Sequence, residues 1–284
     1  AFTEFSTQLF NPANVTFFNT GCYGNTAYYF DHENARFFVL NNDIVDASCI
    51  ENQQAYYAFD EGSGTTASDL VDANHGTITN GTYTTGWNSS SRALAFVGNG
   101  YVRKASPSGA LKPSPQVTIS AWINPTALDS SGSEVVSMGD SYALRVKTDG
   151  NIVFFYFDGT TWRLVTTTGV DVRVGEWHHI VGQKTSSALQ IYVDGVLRGS
   201  LNNTGTITYN KGPDFFIGKH GNGDTRYDFI GTIDEVCVYS QALSAQEVLV
   251  LFNSYGSDTT KPTVISTSPA SNATGVPVTS AVTA

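Results

Sequence analysis

RYDFIGTIDEVCVYSQALSAQEVLVLFNSY, residues 226–255, is the stretch that decides the fold. Phe229, Ile230, Ile233, Val236, Val238 and Tyr239 trace a β-strand, and two carboxylates, Asp234 and Glu235, sit in its middle. β-branched and aromatic residues at this density suit a pleated, half-buried surface. The turn Ser240-Gln241-Ala242-Leu243 follows, and Ser244-Ala245-Gln246-Glu247 then opens a short helix. Those four residues form a capping box, in which the Ser hydroxyl accepts from the third helical amide and the Glu reaches back to the Ser amide.

Working outward, the same grammar of strand and turn recurs. Gln54-Ala55-Tyr56-Tyr57-Ala58-Phe59 alternates, and strands are expected at 117–123, 142–146, 152–157, 177–181 and 189–193. Asp194-Gly195 is the commonest two-residue hairpin signal, and Asp149-Gly150 and Asp158-Gly159 are read as the same device. Many short strands at regular turn spacing predict an all-β sandwich. The chain has 284 residues, of which 14% are charged against about 25% in an average domain. The net charge of −10 argues against a nucleic-acid partner, whose phosphates need Lys and Arg. No run reaches the roughly 18 apolar residues of a membrane span, and Ala1 begins no leader, so any signal peptide is read as already removed.

Three segments are expected: 1–51, 52–256 and 257–284. In the first, the alternating 28–30 and 36–40, separated by Asp31-His32-Glu33-Asn34, predict a hairpin. Cys22 and Cys49 lie in a polar, turn-rich stretch and pair plausibly as a disulfide staple, worth about 3–4 kcal/mol in the chain-entropy picture. Cys237 alternates with Val236 and Val238 and is read as a buried thiol. After Gly256 a linker leads into TVISTSPASNATGVPVTSAVTA, which looks like the first strands of a bacterial immunoglobulin-like repeat. The native protein is expected to continue beyond it.

Several segments resemble, in order, the laminin-G-like (concanavalin A-like) jelly-roll family. They are Tyr57-Ala58-Phe59-Asp60-Glu61-Gly62-Ser63-Gly64; Asp69 with Asn74-His75-Gly76-Thr77; Ala95-Phe96 with Gly98-Asn99-Gly100-Tyr101-Val102; 117–123; Gly175-Glu176-Trp177-His178-His179-Ile180 leading to Asp194-Gly195; Phe216-Ile217-Gly218; and the closing 229–236. The resemblance covers about residues 52–255. It implies a two-sheet antiparallel jelly-roll sandwich, common in extracellular bacterial adhesins and carbohydrate-binding modules. It also implies a structural calcium ion near the first and last strands, with Asp69, Asp72, Asn74 and Asp234 as ligands and Asp60 behind them. Loop oxygens suit calcium, which takes six to eight of them in flexible geometry.

Catalytic signals are sparse. Glucanases sharing this sandwich place acids as Glu-x-Asp-x-x-Glu, because carboxyls that flank one glycosidic bond need compatible strand positions. That arrangement does not occur, and the adjacent Asp234 and Glu235 are read as pointing to opposite faces. The neighbours His178 and His179 also face opposite ways, so they are read as structural. Carbohydrate binding needs exposed aromatic platforms with polar groups around them. Tyr101, Tyr142, Tyr156, Trp162, Tyr209 and Tyr227 are available, while Trp122 and Trp177 are assigned to the core. Trp162 stands out just past a turn, with the loop residues Asn222, Asp224 and Arg226 as further ligand contacts. The leading expectation is a non-catalytic, extracellular or cell-surface bacterial protein that recognises a glycan. The alternatives are a subunit of a surface filament, with residues 1–50 contacting a partner chain, and an accessory module of a larger secreted enzyme.

Overall fold

The computed structural model describes residues 50–172 and 175–254, together with the backbone of three earlier strands. These are β1 (Val15–Phe18), β2 (Asn25–His32) and β3 (Ala35–Asn42), which form an antiparallel sheet in the order β1-β2-β3. The expected hairpin is the β2–β3 pair, registered Phe30 to Phe37 and Tyr28 to Val39. Cys22, Cys49 and the region 257–284 lie outside the described residues.

Residues 50–255 gather into a unit of their own. Its strands are β4 (Gln53–Tyr57), β5 (Thr66–Ala67), β6 (Gly76–Thr85), β7 (Arg92–Lys104), β8 (Val117–Ala127), β9 (Ser133–Met138), β10 (Tyr142–Val146), β11 (Ile152–Phe157), β12 (Trp162–Thr166), β13 (His178–Lys184), β14 (Ala188–Val193), β15 (Val196–Asn202), β16 (Phe215–Ile217) and β17 (Ile230–Tyr239), with helix α1 (Ala245–Ser254) at the end. Hydrogen bonding runs continuously in the order β12-β11-β10-β9-β16-β7-β17-β8-β13-β14-β15, with β4 on β17 and β6 on β7. The expected two layers are therefore one sheet that folds over itself. The closing strand β17 joins its halves, because Ile230–Ile233 pair with β7 on one side and β8 on the other.

Alternation supplies the core. Tyr142, Leu144 and Val146 of β10 and Ile152, Phe154 and Tyr156 of β11 face inward, against Ile180 of β13 and Ile191 of β14. Fully burying one such side chain contributes about 1.5–3 kcal/mol. The two layers approach closely at Gly182 on β13, where a Cβ would stand 2.6 Å from the Phe154 ring and 2.9 Å from Leu144. Asp194 and Gly195 both take positive φ (51° and 76°), the two-residue hairpin geometry that the sequence predicts. Asp149-Gly150 and Asp158-Gly159 differ: only the glycines turn left-handed, inside longer loops, because each Asp side chain instead accepts backbone N–H groups ahead of it.

The capping box forms as read, with Ser244 N donating to Glu247 Oε2 at 2.6 Å and Glu247 N donating to Ser244 Oγ at 3.2 Å. Helix α1 buries Val248 and Leu251, and its Phe252 stacks on Trp122, which stacks in turn on Trp87 at 3.9 Å. Trp122 is thus buried on the outer face of the sheet, against the helix and away from the sandwich core. Trp177 is only partly buried, since it precedes β13 and escapes the strand's alternation. His179 is fully buried beside Trp122, with Nε2 2.8 Å from Ser120 Oγ, whereas His178 pairs with Asp194 at 2.9 Å. Both histidines are structural, as expected. Cys237 is a buried thiol whose Sγ accepts from Gln53 Nε2 at 3.3 Å.

One sequence inference fails on β17. Opposite Trp122 and Ser120 the strand carries an extra residue, and Glu235 adopts φ +51°. Ile233 and Val236 both lie in the core, so the two residues between them both leave it. Asp234 and Glu235 therefore share the outer side, because a bulge suspends the period of two. Both are buried, and burial, the largest influence, pushes their pKa values up to about 7 and about 8.

Candidate functional site

The outer side of β9, β10 and β11 carries a second apolar cluster, Ala143, Val153 and Phe155, produced by the residues that alternate away from the core. Three segments converge beside this side: the β9–β10 turn at Gly139, the loop between β15 and β16 at Gly212, and the loop between β16 and β17 at Gly221. Glycines permit the convergence. Gly139, Gly212 and Gly221 touch backbone to backbone, and a Cβ on Gly139 would lie 2.7 Å from Gly212 O, while one on Gly212 would lie 3.2 Å from Gly139 Cα. A Cβ on Gly221 would overlap the Gly139 carbonyl. Asp140, next to Gly139 in the β9–β10 turn, is thereby held where the three segments meet.

From Asp140 a continuous chain of contacts spreads. Its carbonyl accepts the indole N–H of Trp162 at 3.1 Å, and its Oδ1 stands 3.2 Å from His220 Nε2. The other ring nitrogen of His220 meets Asn222 Oδ1 at 2.8 Å. Burial, the largest influence, pulls the His220 pKa down, and Arg145 adds to this against the opposing pull of Asp140. Asn222 Oδ1 accepts from Asp224 N at 3.0 Å, and Asp224 pairs with Arg226 at 2.6 Å. Asp224 also caps the short turn Thr225–Tyr227. That turn presents the Tyr227 ring between His220, at 4.8 Å, and Arg145, whose guanidinium carbon is 4.0 Å from the ring centre.

Three of the four loop contacts named from sequence thus lie together on one loop, and Trp162 joins them through Asp140. Trp162 is 45% exposed. Phe157 packs on it at 5.0 Å, and the Lys211 ammonium lies 5.0 Å from the indole centre. Asn222 and Arg226 are exposed. Of the other aromatic candidates, Tyr142 and Tyr156 are buried in the core because they fall on inward positions, and Tyr209 gives its hydroxyl to Pro113 O at 2.6 Å. Tyr101 packs edge-on against Phe216. Arg145, His220, Asp140 and Lys211 escape a reading of exposed aromatics. One signal could have found Arg145: a charge inside the apolar run Tyr142–Val146 demands a partner, and Glu134 on the neighbouring strand supplies it.

The five proposed calcium ligands fall into two groups. Asp72 and Asn74 bond to each other at 3.1 Å and to Ser108, while Asp69 Oδ1 accepts from Tyr56 N and Val71 N. Asp234, on β17, faces a different loop, accepting from Trp87 N at 3.1 Å, Ser91 Oγ at 3.4 Å and Glu235 N at 2.9 Å, and Asp60 accepts from Arg92 N at 2.7 Å. Oxygens committed to N–H and O–H donors do not face a cation, so the five do not fit one calcium ion as a set. Among the described residues no three His, Cys, Asp or Glu side chains are grouped to hold a metal. Asp69 Oδ2 is buried and without a donor.

Comparison with known proteins agrees with this architecture. A family model described as the concanavalin A-like lectin/glucanases superfamily matches residues 96–249. Domain 4 of an extracellular arabinanase from Geobacillus stearothermophilus, solved with arabinotriose, superposes with a TM-score of 0.56 at 22% identity, covering 70% of this chain and 98% of that one. The binding domain of Paraclostridial Mosquitocidal Protein 1 gives 0.57 at 19% identity, covering 72% and 52%. A Trypanosoma rangeli sialidase with the inhibitor DANA gives 0.53 at 14%, covering 70% and 32%. The chain thus spans about half of the toxin domain and a third of the sialidase. No curated protein matches the sequence. At these identities the structures establish a shared fold.

Proposed function

The chain belongs to the concanavalin A-like lectin/glucanase superfamily, and on that premise we propose that residues 50–255 form a non-catalytic module that binds a glycan outside the cell. The binding surface is the outer side of β9–β11 with the Lys219–Asp228 loop. One observation carries this reading: Trp162 is half-exposed yet fixed, its N–H tied to Asp140 O and its ring in contact with Phe157 and Lys211. An immobilised aromatic plate loses little entropy when the C–H face of a sugar ring stacks on it. Asn222 and Arg226 supply hydroxyl partners at its rim. The solved relative that carries arabinotriose supports a saccharide ligand, and its extracellular enzyme supports the location. No helix among the described residues is long and apolar enough to cross a membrane.

A glycan array, followed by calorimetry on any hit, tests the proposal. Trp162→Ala is expected to weaken binding by about tenfold or more, the scale of one lost stacking platform. A blank array, or a hit indifferent to Trp162→Ala, would overturn it. A calcium ion is a narrower proposal resting on Asp69 Oδ2. It requires a calcium-dependent rise in melting temperature that Asp69→Asn removes.

A further inference from the structure

Arg145 stands at the centre of this side of the sheet, held from three directions. Glu134 Oε2 accepts from its Nε, the Phe155 ring lies 5.0 Å from the guanidinium carbon, and the Tyr227 ring lies 4.0 Å from it. These contacts fix the plane of the guanidinium, and they engage only Nε. The terminal Nη1 and Nη2 groups make no hydrogen bond with any described residue, and the side chain keeps 15% of its surface exposed. A guanidinium so fixed is a preorganised pair of parallel donors, and its plane matches a carboxylate.

The charges around it agree. Lys219 is paired with Asp228 at 3.0 Å and Arg226 with Asp224 at 2.6 Å, and Asp140 faces His220. Lys211 meets no carboxylate among the described residues, its ammonium resting over Phe157 at 4.2 Å and Trp162 at 5.0 Å. In a protein of net charge −10, this side therefore offers, among the described residues, the terminal donors of Arg145 and the ammonium of Lys211 to a ligand. We propose that the glycan recognised here bears a carboxylate, as a uronic or sialic acid does, and that the Nη1 and Nη2 donors of Arg145 bind it bidentately.

This inference rests on the glycan reading above, and its test separates the two. Calorimetry would compare oligogalacturonate with the same oligomer as its methyl ester, and sialyllactose with lactose. At least one acid is expected to bind about tenfold or more tightly than its neutral counterpart, with the difference shrinking as salt rises. Arg145→Gln should erase the preference. Because Arg145→Gln strands the buried Glu134, the double variant Glu134→Gln/Arg145→Gln is the companion, and it should erase the preference equally. Equal binding of acid and neutral forms by the native protein overturns this inference and leaves the glycan reading intact. So does a preference that survives both variants. Failure of both acids to bind, with an array hit on neutral glycans alone, overturns this inference only, whereas a blank array overturns both.

Discussion

Glu134→Gln offers a quantitative test of how the site is built. The Glu134 carboxyl is wholly buried, with Oε2 on Arg145 and Oε1 without a partner. Burial, the dominant influence, pushes its pKa from an ordinary 4.5 up to about 7, with Arg145 opposing and Asp140 assisting. The folded protein therefore keeps a proton that the unfolded chain releases over this interval. The stability this contributes is fully present below pH 4.5 and is lost as pH rises through about 7. At about 1.36 kcal/mol per pH unit, the loss is about 3 kcal/mol. Glutamine resembles the protonated acid in shape and charge, so the variant should match the native protein in acid. It should then exceed the native protein by about 3 kcal/mol at about pH 8. Asp234 and Glu235 rise to about 7 and about 8 and titrate in the same window, but both remain in the variant. The informative quantity is thus the difference between the two curves, measured by urea unfolding at about pH 4.5, 6 and 8. Parallel curves would mean that Glu134 is already ionised below pH 5, and the account of a dry carboxylate beneath Arg145 would fail.

Two further predictions bear on what positions the surface. Gly221→Ala places a methyl group on the Gly139 carbonyl, so the loop must shift; we expect weakened binding at Trp162 and a stability loss of about 1–3 kcal/mol by urea titration, and a variant unchanged in both would remove the glycine contact from the account. Ser244→Ala removes one half of the capping box and should cost about 1 kcal/mol, read as a lower melting temperature with ligand affinity unaltered.

The fold was legible because it rests on rules local in sequence. Alternation on β10 and β11 sorted Leu144 and Phe154 inward, Asp194-Gly195 folded as its residues require, and Ser244 and Glu247 capped α1 as their spacing dictates. Those rules say how a side chain stands relative to its own strand, and nothing about what covers it. Trp122 shows the limit: the sequence reading assigns it to the core, whereas it lies on the face opposite the inward Ala121 and Ile123, and only the return of α1 in space makes that outer position a buried one. Tyr142 and Tyr156 show the converse, since their residue type suggests a platform and their parity commits them to the core.

Where the period itself breaks, sequence parity gives the wrong answer with no local warning. Glu235 takes a left-handed conformation without being glycine, so nothing in Ile233-Asp234-Glu235-Val236 announces the bulge. The same limit governs the candidate surface. Trp162, Asn222, Asp224 and Arg226 were each marked by exposed loop chemistry, but what joins them is Asp140, an unremarkable turn residue until three glycines far apart in sequence bring its neighbours into contact. Arg145 completes the case from the opposite direction. Its charge in an apolar strand was a warning readable from sequence, and its buried partner, Glu134, stands on the next strand. A charge held beneath a surface at such cost, with its terminal donors left open, is the feature that a carboxylate-bearing ligand would explain.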